Sequence, residues 1–307
     1  MRLEGVVWGG YCWDRLLEER IKDSRSLENF GYKVYSQNDE DGIIREIFCR
    51  IGTTNKEFIE FGVQDGLECN SHYLLHLGWK GLWIEGSKKY CHIMNIKFKP
   101  VVSNGRLRIC NAFITRDNIN QLIEENSFKS KEPDFLSIDI DGNDWYVWEA
   151  INCIKPRVVC IEYNGKFPPD YYWKQAYNAN HSWDGSDWQG ASLKAMELLG
   201  EKKGYQLVGT NINGVNAFFV RKELINSTFL TLKTAEELYN PNRKELKFYA
   251  AGHKAKYGLI DQEENKGILN YYNSMKELKQ EKWKEKIERM KPSNFKQRIV
   301  RIMRGGE

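Results

Sequence analysis

Between residues 57 and 221 the hydrophobic pattern keeps switching between the two-residue period of a strand and the 3.6-residue period of a helix. Such alternation predicts a parallel sheet covered by crossover helices. EFIEFGV (57–63), GLWIEG (81–86), RLRICNAFI (106–114), DFLSIDIDG (134–142) and RVVCIEYN (157–164) read as strands. QLVGTNINGVNAFFVR (206–221) reads as two more, joined by an NING turn. Helical segments fall between them at 36–52, 70–79, 117–126, 144–151 and 191–205. In the first of these, Ser36 or Asn38 is placed to cap, Asp39, Glu40 and Asp41 suit the positive end, and Gly52 suits the stop.

The length of 307 residues fits one large domain with an appendage. Hydrophobic residues at 41% and charged residues at 29% exclude a disordered or collagen-like chain. No run approaches the roughly 18–20 apolar residues of a membrane span. The first twenty residues lack a basic segment followed by an apolar stretch, so no signal peptide is expected. Seven cysteines without CxxC spacing argue against a disulfide framework and a cysteine zinc site, and point to reduced thiols in a cytoplasmic protein. The net charge of +4 is unevenly spread: residues 275–307 carry eleven Lys and Arg against five Asp and Glu, leaving the body slightly acidic. An enzyme of nucleic acids spreads positive charge around its site, so no nucleic-acid partner is expected.

The run Glu60-Phe61-Gly62-Val63-Gln64-Asp65-Gly66 follows the first strand and leads into a helix. Glycines there would let a ligand approach the backbone. Glu85 ends the second strand, 23 residues after Gly62, where an acid can accept hydrogen bonds from both ribose hydroxyls. No GxGxxG is present, so no pyrophosphate-cradling turn is encoded. Asp65 would repel a pyrophosphate but suits a cationic amino-acid end. S-adenosylmethionine has such an end, a ribose, an adenine and no phosphate. A plain strand-to-helix turn with a surface glutamate is the competing reading.

Several motifs in order, SQNDEDGII, EFIEFGVQDGLECNS, GWKGLWIEGS, SIDIDGNDWYVWEAI and GVNAFFVR, resemble the FkbM-like S-adenosylmethionine-dependent methyltransferases, closest to the branch associated with bacterial surface-polysaccharide sugars. The resemblance spans roughly 36–221. It implies an α/β, Rossmann-like class I methyltransferase fold: a seven-stranded, mostly parallel sheet with a C-terminal antiparallel hairpin. The domains would be an N-terminal extension (1–35), the methyltransferase domain (36–222) and a helical C-terminal extension (223–307). Carried over by position, Glu60, Gly62, Asp65 and Gly66 would form the first cofactor loop, Glu85 would bind the ribose, and Asn111 and Ala112 would lie near the adenine. Asp139 would lie near the methionine end, with Gln37 and Ser71 as further cofactor ligands. The third glycine of the family's first loop is missing, and Asn111 stands where an acid is usual.

Asp139, Asp141 and Asp144 fall within six residues, and Glu162 and Asn164 end the neighbouring strand. Asp139 and Asp141 share strand parity, so both would face one side at the sheet's carboxyl edge, where ligands bind. Three readings are open. Asp141, Asp144 or His181 is a general base that takes the proton of an acceptor hydroxyl as the methyl group is transferred. Alternatively, Asp139 or Asp141 with Glu162 and Asn164 holds Mg²⁺, which prefers oxygen ligands and lowers the hydroxyl's pKa. Or the acids only cap the following helix. DIDG also matches the start of haloacid-dehalogenase phosphatases, but here it follows three strands instead of one. His72 and His76 lie four apart in an apolar context, which favours packing over metal binding. His181 sits in NANHSWDGSDWQG, where aromatics and carboxylates suit a sugar or an ordinary Trp-anchored loop.

The expected activity is therefore O-methylation of a sugar hydroxyl in capsular or lipo(oligo/poly)saccharide biosynthesis, on a nucleotide-activated or polymer-linked sugar. The alternatives are another small-molecule or lipid-linked acceptor, or a non-catalytic cofactor- or glycan-binding module. NFKQRIVRIMR (294–304) sets Phe295, Ile299, Ile302 and Met303 against Arg298, Arg301 and Arg304. Such a helix suits a peripheral contact with the inner membrane or a partner, or is simply solvated.

Overall fold

Alternate residues of the central strands enter two different cores. On β1 (Glu57–Phe61), Ile59 and Phe61 face one side and Phe58 the other; on β2 (Lys80–Glu85), Leu82 and Ile84 oppose Trp83; on β4 (Phe135–Ile138), Leu136 and Ile138 oppose Phe135. A sheet apolar on both faces must be covered on both. In the computed structural model, which describes residues 13–243, it is. Helices α1 (Glu40–Ile51), α2 (His72–His76) and α3 (Lys88–Lys97) cover the Phe58–Trp83–Phe135 face. Helices α4 (Ile119–Asn126), α5 (Asp144–Ala150) and α6 (Leu193–Lys202) cover the other.

The remaining strands are β3 (Leu107–Asn111), β5 (Val158–Glu162), β6 (Tyr205–Thr210) and β7 (Asn216–Arg221). The sheet order is β3-β2-β1-β4-β5-β7-β6. Strands β1 to β5 are parallel, and β7 runs antiparallel to both β5 and β6. This is the expected seven-stranded, mostly parallel α/β sheet with a reversed terminal hairpin. The NING turn closes on Asn211, whose Oδ1 accepts from Val215 N and Asn216 N.

Two local expectations need correction. Neither Ser36 nor Asn38 caps α1. The helix begins after Asp39, and Asp41 reaches back so that its Oδ2 accepts from the N–H groups of Val34, Tyr35 and Ser36. The fourth strand also stops at Ile138 instead of running to 142. Asp141 adopts a left-handed conformation (φ 55°), which breaks strand parity between Asp139 and Asp141.

Segments outside the sheet region pack on it. Arg20 ion-pairs with Glu28 (2.6 Å) and donates to Glu237 O and Asn240 Oδ1. The Tyr163 hydroxyl donates to Asn240 O. His72 and His76 both stack on Tyr35, with ring centroids 3.9 and 4.9 Å away. The basic segment 275–307, with the helix expected over 294–304, lies outside the described residues. Among the described residues no helix is long and apolar enough to cross a membrane.

Candidate functional site

Parallel strands that end together leave a crevice beyond their carboxyl ends. Here it is a cleft of about 620 Å³ above β1, β2, β4 and β5. Gln37, Glu60, Gly62, Asp65, Glu85, Ala112, Asp139, Asp141, Glu162, Asn164 and His181 all line it. Gly66, Ser71, Asn111 and Asp144, expected there too, do not.

The physical reasons differ. At Gly62 (φ +71°) and Gly66 (φ +77°), expected to admit a ligand, the protein takes the space a side chain would fill, and Gly62 still lines the cleft. A Cβ on Gly62 would lie 1.7 Å from Asp139 O, and one on Gly66 would meet the rings of Trp83 and Phe98 at 2.7 and 2.9 Å. The glycines let the β1 and β4 loops and the aromatic core close together. Ser71 is fully buried: its hydroxyl donates to Glu60 Oε2 and accepts from Trp83 Nε1. Asn111 spends its amide on Glu85 O (2.9 Å) and Gly86 O (3.1 Å). Asp65 ion-pairs with Lys97 at 2.9 Å, so its charge is met within the protein.

Glu85 is held in place by two backbone donors, Gln64 N on Oε2 (2.8 Å) and Ser87 N on Oε1 (2.7 Å). Each oxygen keeps a further lone pair for a ligand hydroxyl. Glu60 accepts from Asn70 N and Ser71 N and ties down the turn behind the cleft; burial pushes its carboxyl above the usual range. Ala112 and the half-exposed Phe113 form the wall beside β3. Phe113, Tyr90, Gln189 and Asn216 are lining residues that sequence reasoning missed. Tyr90 stands in a helix and Phe113 just past a strand, with no motif to mark them, whereas Gln189 and Asn216 lie in the quoted segments NANHSWDGSDWQG and GVNAFFVR without being singled out there.

The acidic loop after β4 is organised by Asp144. Its two oxygens accept from Ile140 N and Gly142 N, both at 2.8 Å. The carboxyl is fully buried, and burial pushes it up to about 6. Asp144 therefore shapes the loop and does not reach an acceptor as a base, a correction to its expected catalytic role. Asp139 is pushed well above the usual carboxylate range by burial, then by the charges of Asp141 and Asp144. Asp141 is pushed up by burial and pulled back by His181. The His181 ring fills the space beside Gly142, and its Nε2 lies 3.0 Å from Asp141 O. A carbonyl only accepts, so Nε2 carries the proton and Nδ1 holds the basic lone pair.

For a divalent cation, Asp139, Asp144 and Glu162 offer oxygens within 4.8 Å of one another. This differs from the expected set. Asn164 is spent on Asp187 O, Gln189 O and Lys166 N, and Asp144 takes the place expected of Asp141. An all-oxygen donor set fits Mg²⁺.

Crowded carboxylates make a pH prediction. A carboxyl whose folded pKa is raised favours the fold while protonated, and this contribution is lost as pH rises through the folded value. For Asp144 that window runs from about 4 to about 6. The ligand-free protein should therefore be relieved of repulsion by removing one charge at pH 7.5. We expect Asp139→Asn to raise the thermal midpoint there by about 2–4 °C, on the order of 1 kcal/mol. The gain should shrink at pH 5, and calorimetry at the two pH values measures it. An unchanged or lower midpoint at pH 7.5 would count against a repulsive cluster.

No family model matches this sequence, and no curated protein does. Solved structures do match. The O-methyltransferase from Bacillus cereus in complex with SAH is 16% identical, with a TM-score of 0.40 over 68% of this chain and 90% of its own. The N-terminal domain of EvdMO1 with SAH bound is 12% identical, with a TM-score of 0.37 over 68% of this chain and 94% of its own. A SAM-dependent methyltransferase from Aquifex aeolicus is 10% identical, with a TM-score of 0.35 over 57% of this chain and 87% of its own. At such identities and TM-scores, what this chain does has to be read from its own cleft.

Proposed function

We propose that the chain is an S-adenosylmethionine-dependent methyltransferase that methylates a sugar hydroxyl, nucleotide-activated or polymer-linked, in surface-polysaccharide assembly. One observation carries the reading. Among the described residues, the cleft is lined by eight carboxylates and a single lysine; Asp65, Glu68 and Asp187 face lysines, which leaves Glu60, Glu85, Asp139, Asp141 and Glu162 as its acidic core, with Glu85 clamped at the β2 tip. That lining repels a dinucleotide's pyrophosphate. It suits a nucleoside whose far end carries a sulfonium and an ammonium. Glu85 is placed for the ribose hydroxyls, Ala112 and Phe113 for the adenine, and Asp139 for the ammonium.

S-adenosylmethionine, when bound, would supply a methyl group to an acceptor oxygen and leave as S-adenosylhomocysteine, and the hydroxyl proton would pass to a base. Asp141 and His181, through Nδ1, are the bases that line the cleft. The raised pKa of Asp141 makes it a stronger base than an ordinary carboxylate. A second reading rests on the Asp139–Asp144–Glu162 cluster. A divalent cation held there would lower the pKa of the acceptor hydroxyl.

The test is a thermal-shift titration with S-adenosylhomocysteine beside NAD and ADP. At about 100 times its Kd a ligand stabilises by roughly 2.7 kcal/mol, a shift of several degrees. We expect a shift with S-adenosylhomocysteine alone. No shift in folded, cofactor-free protein would overturn the methyltransferase reading. Transfer of labelled methyl that EDTA abolishes and Mg²⁺ restores would select the metal-assisted route.

A further inference from the structure

The cleft floor beyond Asp139 comes from β5 and β7, whose register sets Glu162 opposite Asn216. Asn216 is 4% exposed, and its Nδ2 donates to Glu40 Oε1 at 3.0 Å. Glu40 is itself fully buried and also accepts from Asn38 N, Asn38 Nδ2 and Asn211 Nδ2. Every one of these contacts brings an N–H donor to the Glu40 oxygens, and Asn216 meets them with the NH₂ side of its amide. The orientation of that amide is thereby fixed, and its Oδ1 is left buried with no hydrogen-bond partner. Glu40 is a positioning residue for Asn216.

Gln189 repeats the arrangement from the loop. It is 9% exposed, its Nε2 lies 3.5 Å from Glu162 Oε1, and its Oε1 is buried without a partner. Both residues line the cleft beside Glu162. Buried acceptors without donors are rare in folded proteins and costly to maintain. Two of them, on cleft-lining residues next to the carboxylates of Asp139 and Glu162, leave acceptors that a donor-bearing ligand would satisfy. Lys166, the cation on this side, faces Asp187 at 3.5 Å.

We infer that Asn216 and Gln189 determine acceptor specificity, and that the part of the acceptor entering the cleft is an uncharged, hydroxyl-rich ring, with no phosphate or nucleotide attached nearby. This rests on the methyltransferase reading and narrows it. A ring with several hydroxyls supplies donors to both amide oxygens and to Glu162. A sugar diphosphate would bring its charge against the carboxylates of the lining.

The experiment uses the full chain saturated with S-adenosylhomocysteine and saturation-transfer NMR. The probes are neutral methyl glycosides of hexoses and 6-deoxyhexoses, one methyl glycoside of an amino sugar, and UDP- and dTDP-hexoses. We expect at least one neutral glycoside to bind, with nucleotide sugars failing to displace it. Gln189→Leu should weaken that glycoside at least tenfold while S-adenosylhomocysteine affinity stays within twofold. Asn216→Ser, which truncates the amide without adding charge, should do the same if it folds. The inference is overturned by any of four results: no transfer from any neutral glycoside, undiminished binding in Gln189→Leu, a nucleotide sugar that displaces the glycosides, or an amino glycoside that binds tenfold more tightly than its neutral counterpart. Failure of the wild type to bind S-adenosylhomocysteine would instead remove the methyltransferase reading on which the inference stands.

Discussion

Asp134→Ala is expected to lower the thermal midpoint by roughly 10 °C without touching the cleft. Asp134 is fully buried just before β4. Its carboxylate accepts from Thr54 N, Thr54 Oγ1, Asn55 N and Lys56 N, and from Arg157 NH1 at 2.7 Å. It thereby joins the entry of β1 to the starts of β4 and β5. Arg157 in turn donates to Gly52 O and Ile51 O at the end of α1. Removing the carboxylate leaves a buried guanidinium with no counter-charge and several amides with no acceptor. Breaking such a pair costs about 3–5 kcal/mol, and each kcal/mol is worth about 2–4 °C in a domain of this size.

Burial alone would raise the Asp134 pKa, but Arg157 and the surrounding N–H groups outweigh it and hold the carboxyl below its usual range. A depressed folded pKa gives stability that is present above the unfolded value and lost as pH falls through the folded one. The wild type should therefore lose this contribution in acid, and Asp134→Ala should show a flatter acid limb. S-adenosylhomocysteine affinity should be unchanged in the folded variant, because Asp134 sits at the opposite end of the strands from the cleft. A midpoint change under about 2 °C, read by calorimetry, would mean that this cluster does not hold the sheet edge together.

Asp134 also marks the boundary between what local sequence can and cannot tell. Strand and helix periods are local, so the succession of strands and helices along the chain was legible from the apolar pattern, while the reversed hairpin was an implication of the family resemblance, with which the NING turn agrees. The placement of Glu85 and Glu162 at strand ends was legible too, because parallel strands bring their carboxyl ends to one edge; Asp139 was read within the fourth strand and lies one residue beyond it. Partnerships across the fold were not legible. Asp134 reads as an acid before a strand, and its partners Thr54 and Lys56 are about eighty residues away. Glu40 reads as a first-turn acid of α1, yet it binds Asn211 and Asn216 more than 170 residues later. Gly62 reads as a position where a ligand can approach the backbone; that Asp139 O takes the space its side chain would fill comes from a contact nearly eighty residues away. Asp144 reads as a candidate base, and that its oxygens serve the loop's backbone amides depends on a turn the sequence does not announce.

Glu85→Gln is the substitution expected to reach the proposed cofactor most directly, raising the Kd for S-adenosylhomocysteine about tenfold to a hundredfold. A hydrogen bond to a charged group contributes about 1.5–3 kcal/mol, and 1.4 kcal/mol is tenfold in affinity. Glutamine keeps the length and volume but replaces one acceptor oxygen with a donor. In the native site each oxygen already takes one backbone N–H, from Gln64 or Ser87. The amide NH₂ must therefore face one of those donors and also turn a donor toward a ribose hydroxyl. Loop disturbance and loss of ribose recognition can be separated with smaller ligands. The wild type should prefer adenosine to 2′,3′-dideoxyadenosine by tenfold or more, and Glu85→Gln should bind the two nearly alike. If the variant loses both ligands equally, Glu85 acts only by holding the turn at Gln64 and Ser87. If it keeps full affinity for S-adenosylhomocysteine, the β2 tip does not hold a ribose, and the assignment of this end of the cleft fails.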